Sequence, residues 1–268
     1  MPAVEARWLV EEVSGLDRSR WSEPATPAAA DRLAGLAERR RAGEPLQYVL
    51  GRWSFRGLDL RVDPRVLIPR PETEVVADVA LAEARRRGGG PVVVADLGTG
   101  SGALALALAV ELDGAEVWAT DVSPEALAVA RSNLSGAGPA GARVRFAEGM
   151  WFEALPAVVR GRLRVIVSNP PYVSEAEFDG LPPEVRDHEP SGALVAGPTG
   201  REALEHLVAG GLDWLEPGGA LVLELAPDQA EPLRVAAGEA GYRDVAVHRD
   251  LAGRDRVLVA HRPDGGGP

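Results

Sequence analysis

The stretch Val-Ser-Asn-Pro-Pro-Tyr-Val at 167–173 ends an apolar run on an amide side chain, followed by two residues that cannot donate a backbone hydrogen bond. Asn169 offers both an acceptor oxygen and a donor NH2. Pro170 has a fixed φ and no N–H but keeps its carbonyl, and Pro171 forces it into an extended conformation. Together the Asn169 oxygen and the Pro170 carbonyl can bind the two hydrogens of a planar NH2 group, with the Tyr172 ring packed on its plane. Such a site suits a neutral amide or amino nitrogen, not a hydride or a phosphate. Locked acceptors would hold a poor nucleophile in line with an electrophile, and alignment of this kind supplies much of a barrier reduction. The competing reading is a rigid strand-ending turn with no ligand.

The electrophile needs a seat of its own. Val-Val-Val-Ala-Asp-Leu-Gly-Thr-Gly-Ser-Gly-Ala at 92–103 reads as a strand, a glycine turn and the start of an apolar helix. Gly98, Gly100 and Gly102, with Thr99 and Ser101 between them, let the backbone turn tightly and let a ligand approach unhindered by Cβ atoms. The helix that follows aims free N–H groups at the same place. Gly98-x-Gly100-x-x-Ala103 also satisfies the dinucleotide fingerprint, so the loop alone does not separate NAD from other nucleosides, nor a ligand site from a structural turn. Asp121 ends the next strand, Glu-Val-Trp-Ala-Thr-Asp, and can accept from both ribose hydroxyls. Its bland alternative is an N-cap or Asx-turn, although Ser123 is the better cap candidate. Trp151, in Glu-Gly-Met-Trp-Phe, is expected either to cover a base edge or to be an ordinary buried aromatic.

A repeating frame must carry these residues. Strand-like runs at 91–97, 116–120, 144–147, 164–168 and 220–225 alternate with helix-like runs at 103–112, 124–135, 201–215 and 228–240. That pattern predicts an α/β fold, an open parallel sheet with helices on both faces. In doubly wound sheets ligands sit at the carboxyl ends of the strands near the switch point. Asn169, after the fourth strand, therefore opens onto the same crevice as the glycine loop. The tail, Tyr242–Asp250 and Arg254–Arg262, reads as two strands with no helix between them, a terminal β-hairpin. Ahead of the sheet, 4–16 and 28–42 carry helical periodicity with Pro24 and Pro27 between them. Residues 46–63 look hairpin-like, broken by Gly51 and Gly57. A helix starts at Pro71, with Glu72 and Glu74 at its positive end, and stops in Arg85–Arg87 and Gly88–Gly90.

Composition narrows the partners. The 268 residues contain no cysteine, which removes disulfides, thiolate metal sites and a thiol nucleophile. No apolar run approaches the roughly 18–20 residues of a membrane helix. The first residues carry Glu5, Arg7, Glu11, Glu12 and Asp17, unlike a signal peptide, so the cytoplasm is the expected compartment. A formal net charge of −11 speaks against a nucleic-acid partner, which would call for a basic surface. The short clusters at Arg39–Arg41, Arg85–Arg87 and Arg160, Arg162 and Arg164 read as solvated faces. All 29 basic residues are arginine, and Asn133 and Asn169 are the only asparagines.

A glycine loop, a ribose acid and Asn-Pro-Pro-Tyr, in that order, resemble S-adenosylmethionine-dependent methyltransferases acting on planar nitrogens. The flanks narrow the resemblance. Residues 43–74, with Ile68-Pro-Arg70-Pro-Glu72-Thr-Glu74 at their end, then 185–197 and 250–260, are similar to the HemK/PrmC family, the protein-(glutamine-N5) methyltransferases of release factors. The resemblance implies a helical N-terminal substrate-docking domain (1–45), a β-hairpin linker (46–75) and a seven-stranded Rossmann-like methyltransferase domain (76–268). It implies S-adenosylmethionine as cofactor and the glutamine of a Gly-Gly-Gln motif in a class-1 peptide chain release factor as substrate. It carries over residues 98–102, Asp121, Trp151 and Asn169–Tyr172 as site residues, and Asp96 is a candidate anchor for the methionine part. Arg70–Glu74 also match, but helix initiation explains much of that stretch. Residues 1–45 read about one helix shorter than the family's usual N-terminal domain, and Met150 stands where an acid often precedes the tryptophan. No membrane partner is expected, and a monomer is the default expectation. An adenine or guanine amino-nitrogen methyltransferase on nucleic acid is the alternative, and a cofactor-binding protein without catalysis a third reading.

Overall fold

The computed structural model describes residues 1–15, 21, 25–88 and 92–265. The expected strand start at Pro91, the glycines at 89 and 90, Pro24 and the chain end beyond Gly265 lie outside the described residues. Two helices open the chain. Helix α1 (Ala3–Ser14) ends at Gly15 in a left-handed cap, and α2 (Pro27–Arg41) starts with the Thr26 side chain accepting from the Ala29 N–H. Leu9, Ala37, Leu46 and Val49 pack into a small core of their own.

The hairpin expected over 46–63 is shorter than the sequence suggests. Leu46–Leu50 form a helical turn, α3, and only β1 (Arg52–Phe55) and β2 (Leu58–Arg61) pair. The reason is local and tertiary at once. The Pro45 carbonyl accepts from the N–H groups of Tyr48 and Val49, and Gly51 stops the turn at φ +73°. Leu46 and Val49, three apart on one helical face, bury against Leu9 and Ala37, while Tyr48 on the other side packs with Val62, Val66 and Ile68, so the turn is buried on two sides.

Helix α4 (Pro71–Arg86) follows, burying Thr73, Val76, Ala77, Ala80, Leu81 and Ala84 as one stripe. The alternating frame then runs β3 (Val93–Leu97), α5 (Ala103–Glu111), β4 (Glu116–Asp121), α6 (Pro124–Ser132), β5 (Val144–Glu148) and β6 (Leu163–Ser168). After short pieces β7 (Val173–Ser174), α7 (Glu175–Phe178), α8 (Pro183–Arg186) and β8 (Val195–Gly197) come α9 (Glu202–Trp214), β9 (Leu215–Glu224), α10 (Ala230–Ala240), β10 (Arg243–Arg249) and β11 (Asp255–His261). Seven strands form one sheet in the order β10-β11-β9-β6-β3-β4-β5. Strands β3, β4, β5, β6 and β9 are parallel, whereas β11 runs antiparallel to both β9 and β10. The α/β reading and the terminal hairpin hold. Helices α4 and α5 bury one face of the sheet, and α9 and α10 the other.

Two further expectations change. The helix expected to run to residue 135 stops at Ser132 and continues as 3-10 turns over Asn133–Arg143, broken at Gly138 ahead of Pro139. The arginine clusters are not all solvated. The Arg40 side chain is 15% exposed and bridges Glu5 and Glu184, and Arg164 is buried against Glu216 and the Arg87 carbonyl. Pairing on acids and carbonyls makes such burial tolerable, and a lone sequence cluster does not reveal the partners.

Candidate active site

The strand order reverses direction at β3, which pairs β4 on one side and β6 on the other. Asp96 lies opposite Val167, so the loops leaving β3 and β6 emerge side by side at the carboxyl edge. The Ser168 hydroxyl donates to the Leu97 carbonyl at 2.6 Å and ties the two strand ends together.

The glycine loop is held from below. The N–H groups of Gly98 and Thr99 both donate to the Thr120 carbonyl, and that of Gly100 donates to the Asp121 carboxylate at 2.9 Å. Gly98 and Gly100 take φ +74° and +54°, the left-handed region that an L side chain avoids. Open space lies where a Cβ on Gly100 would point, whereas one on Gly98 would come within 3.3 Å of the Trp151 ring. The third glycine serves packing, since a Cβ on Gly102 would press on Ala130 at the same distance, 3.3 Å. Asp121 also accepts from the Ser123 N–H in an Asx-turn, while Ser123 caps α6. The structural role weighed against ligand binding is therefore present, and each carboxylate oxygen keeps a lone pair for a further donor. Asp96 is buried and accepts from the Thr99 hydroxyl at 2.6 Å and the Ala105 N–H at 3.0 Å. Burial pushes Asp96 up to about 7, with Asp121 adding repulsion, and burial likewise raises Asp121.

Beside this loop, Asn169 donates through Nδ2 to the Thr73 hydroxyl at 3.3 Å. Its Oδ1 is buried with no hydrogen-bond partner among the described residues. Thr73 Oγ1 donates in turn to Glu224 Oε2 at 2.7 Å, and the Tyr172 hydroxyl approaches Glu224 Oε1 at 3.4 Å. Glu224 is 1% exposed, and desolvation pushes it up to about 7.

A cavity of about 540 Å3 opens here, a size suited to a small-molecule ligand. Its wall brings together Asp96, Gly98, Thr99, Gly100, Ser101, Asp121, Trp151, Asn169 and Pro171 of the expected site. Gly102, Pro170 and Tyr172 are not part of that wall: Pro170 is buried, and Tyr172 packs against the core under α9 and α10. The donor set fits a nucleoside with a cationic tail. Asp121 stands at a strand tip for ribose hydroxyls, Val122, Met150 and Trp151 offer apolar surface to a base, and Asp96 provides negative charge deeper in. Two residues of the Asn169 network escaped the sequence reading. Thr73 hid inside a convincing helix start, yet it lines the cavity. Glu224 carries a readable signal, an acid inside the otherwise apolar run Ala220–Leu225, where a buried charge needs a partner.

Comparison with known proteins narrows the family. Residues 1–51 match the model of the PrmC N-terminal domain, and residues 83–180 that of the methyltransferase small domain. A release factor glutamine methyltransferase of Deinococcus radiodurans is 44% identical over 268 residues, covering 98% of this chain and 92% of that protein. One from Gloeobacter violaceus is 42% identical over 264 residues, covering 97% and 90%. Among solved structures, a methyltransferase from Pyrococcus furiosus shares the fold with a TM-score of 0.55 at 21% identity, covering 87% of this chain and 99% of that one.

Proposed function

The chain belongs to the release factor glutamine methyltransferase family, and from that membership we propose how its own residues carry the reaction. It is an enzyme that transfers a methyl group to a release-factor glutamine. The finer reading is that the donor is S-adenosylmethionine and the acceptor is the side-chain nitrogen, N5, of the glutamine in the Gly-Gly-Gln motif of a class-1 factor.

S-adenosylmethionine, when bound, supplies an electrophilic methyl group on a sulfonium. Asp121 takes the ribose, Trp151 with Val122 and Met150 covers the base, and the loop from Gly98 to Ser101 lets the backbone come close. Asp96 lies deeper, its negative charge favourable to a cationic tail. The Asn169 oxygen accepts one hydrogen of the substrate NH2, and the carbonyl of Pro170, a residue buried behind the cavity wall, takes the other once the substrate is seated, which turns the nitrogen lone pair toward the donor side of the cleft. Alignment rather than a general base lowers the barrier, and water takes the proton afterwards. The observation that carries this reading is the unpartnered Asn169 Oδ1, beside the glycine loop at a strand switch point. A buried amide oxygen without a partner costs stability, and a substrate N–H restores the pairing.

The test is transfer of labelled methyl from S-adenosylmethionine to a purified, unmodified class-1 release factor, beside one whose Gly-Gly-Gln glutamine is replaced. Label should depend on that glutamine. Label on nucleic acid instead would move the substrate to a base amino nitrogen and leave the fold assignment standing. Asn169→Ala should keep donor binding by calorimetry and lose turnover by about 100-fold or more, the scale for one aligned polar group. Wild-type turnover would sink the assignment of Asn169.

A further inference from the structure

An asparagine side chain can be turned end for end with little steric change. Reversed, Asn169 would set its own NH2 against the substrate NH2, donor facing donor. We propose that Thr73 and Glu224 act as positioning residues that decide which end of the Asn169 amide faces the substrate. The inference rests on Asn169 being the group that binds the amide.

The decision follows from counting protons. Thr73 Oγ1 carries one hydrogen and can accept two hydrogen bonds. Glu224 Oε2, at 2.7 Å, can only accept while the carboxylate is ionised, so it takes the Thr73 proton. The hydroxyl then has only lone pairs left for Asn169 at 3.3 Å, and the end that can meet them is the NH2. Oδ1 is thereby left as the end turned away from Thr73, where it is buried and unpaired, on a residue that lines the cavity. A hydrogen placed on the Glu224 atom that faces Thr73, by protonation of Oε2 or by a glutamine with its NH2 turned there, breaks the sequence. A proton on Oε2 would be donated to Thr73, whose own hydrogen would then be free to meet Asn169 Oδ1. Arg256 favours the charged form of Glu224, Glu72 and burial oppose it, and the Tyr172 hydroxyl approaches its other oxygen. Thr73 comes from the first turn of α4, Asn169 from the end of β6 and Glu224 from the end of β9, so three elements of the fold converge on one amide.

The experiment uses the full chain, an unmodified class-1 release factor and labelled S-adenosylmethionine. Thr73→Ser, Thr73→Val and Glu224→Gln are compared alone and in the Asn169→Ala background, with donor affinity by calorimetry and melting recorded for each. Thr73→Ser keeps the hydroxyl and should stay within about threefold of wild type. Thr73→Val and Glu224→Gln should lose about 10- to 100-fold in kcat, the scale of removing a group that orients an acting residue. Donor affinity should stay within about twofold. In the Asn169→Ala background neither should cost anything further, because residues acting through one another are non-additive. Losses that multiply with Asn169→Ala, a Thr73→Val enzyme within threefold of wild type, or a collapse of melting and donor affinity alongside turnover would each overturn the proposal. Wild-type turnover in Asn169→Ala alone would instead remove the reading beneath it.

Discussion

Asn133, the other asparagine of the chain, provides a sharp test of what positions the glycine loop. It is 4% exposed, and its Oδ1 accepts from the Arg61 N–H at 2.7 Å. Its Nδ2 donates to the carbonyls of Arg61 at 3.1 Å and Ser101 at 2.9 Å. One side chain thus joins the β1–β2 hairpin to the glycine loop and the start of the 3-10 turns after α6. Asn133→Ala removes all three bonds, each worth about 1 kcal/mol net, for a total of about 3 kcal/mol. At about 2–4 °C per kcal/mol for a protein of this size, melting should fall by about 6–12 °C. Asn133→Asp should be worse than alanine at neutral pH, since its carboxylate would face two carbonyl oxygens, and acidification should narrow the gap. Donor affinity should fall in both variants, because the Ser101 carbonyl loses its tether. Thermal melting with and without donor measures each effect. A shift within about 2 °C for alanine, or an aspartate milder than alanine, would refute the bridge as a structural determinant.

Two other outcomes follow from the same region. Asp96 ionises near 7 in the folded chain and nearer 4 when unfolded. The folded state therefore holds the proton more tightly, so stability from this group is present below about pH 4 and is lost as pH rises through 7. Ligand-free Asp96→Asn should melt with a shallower pH dependence across that window, and identical slopes would remove the buried charge as the cause. Gly98→Ala forces an L residue to φ +74° and places a Cβ 3.3 Å from the Trp151 ring. Conformational cost alone is about 1–2 kcal/mol, so donor affinity by calorimetry should weaken by about tenfold. Unchanged affinity would mean that the loop and the tryptophan relax freely.

What could be read from the sequence had local causes. Glycine spacing at 98–102, apolar runs of strand length and the missing helix between the last two strands each act over a few residues. They placed the crevice where β3 and β6 diverge. The turn at Leu46–Leu50 is not legible locally because Leu46 and Val49 bury against α1 and α2 and Tyr48 against Val62, Val66 and α6, which no short window contains. Asp121 shows that two competing readings can coexist, since its Asx-turn leaves lone pairs facing the cavity. Glu224 and Thr73 stand 151 positions apart in sequence. Only the assembled sheet makes them neighbours, and helix-start chemistry gave a sufficient local account of the stretch around Thr73.

The sheet order also has a consequence for synthesis. Strand β11 is last in sequence but internal in space, between β9 and β10. As the chain emerges from its N-terminus, β9 therefore keeps an open edge until Asp255–His261 follow. An unpaired apolar edge is a template for wrong pairing, so a chain stalled before β11 is the form most exposed to aggregation. The same segment, directly after Arg254, which pairs with Glu72 beside Thr73, brings Arg256, whose charge acts on Glu224. Sheet closure and the setting of the Asn169 amide thus arrive in one late event, and a nascent chain lacking it would be silent as well as sticky.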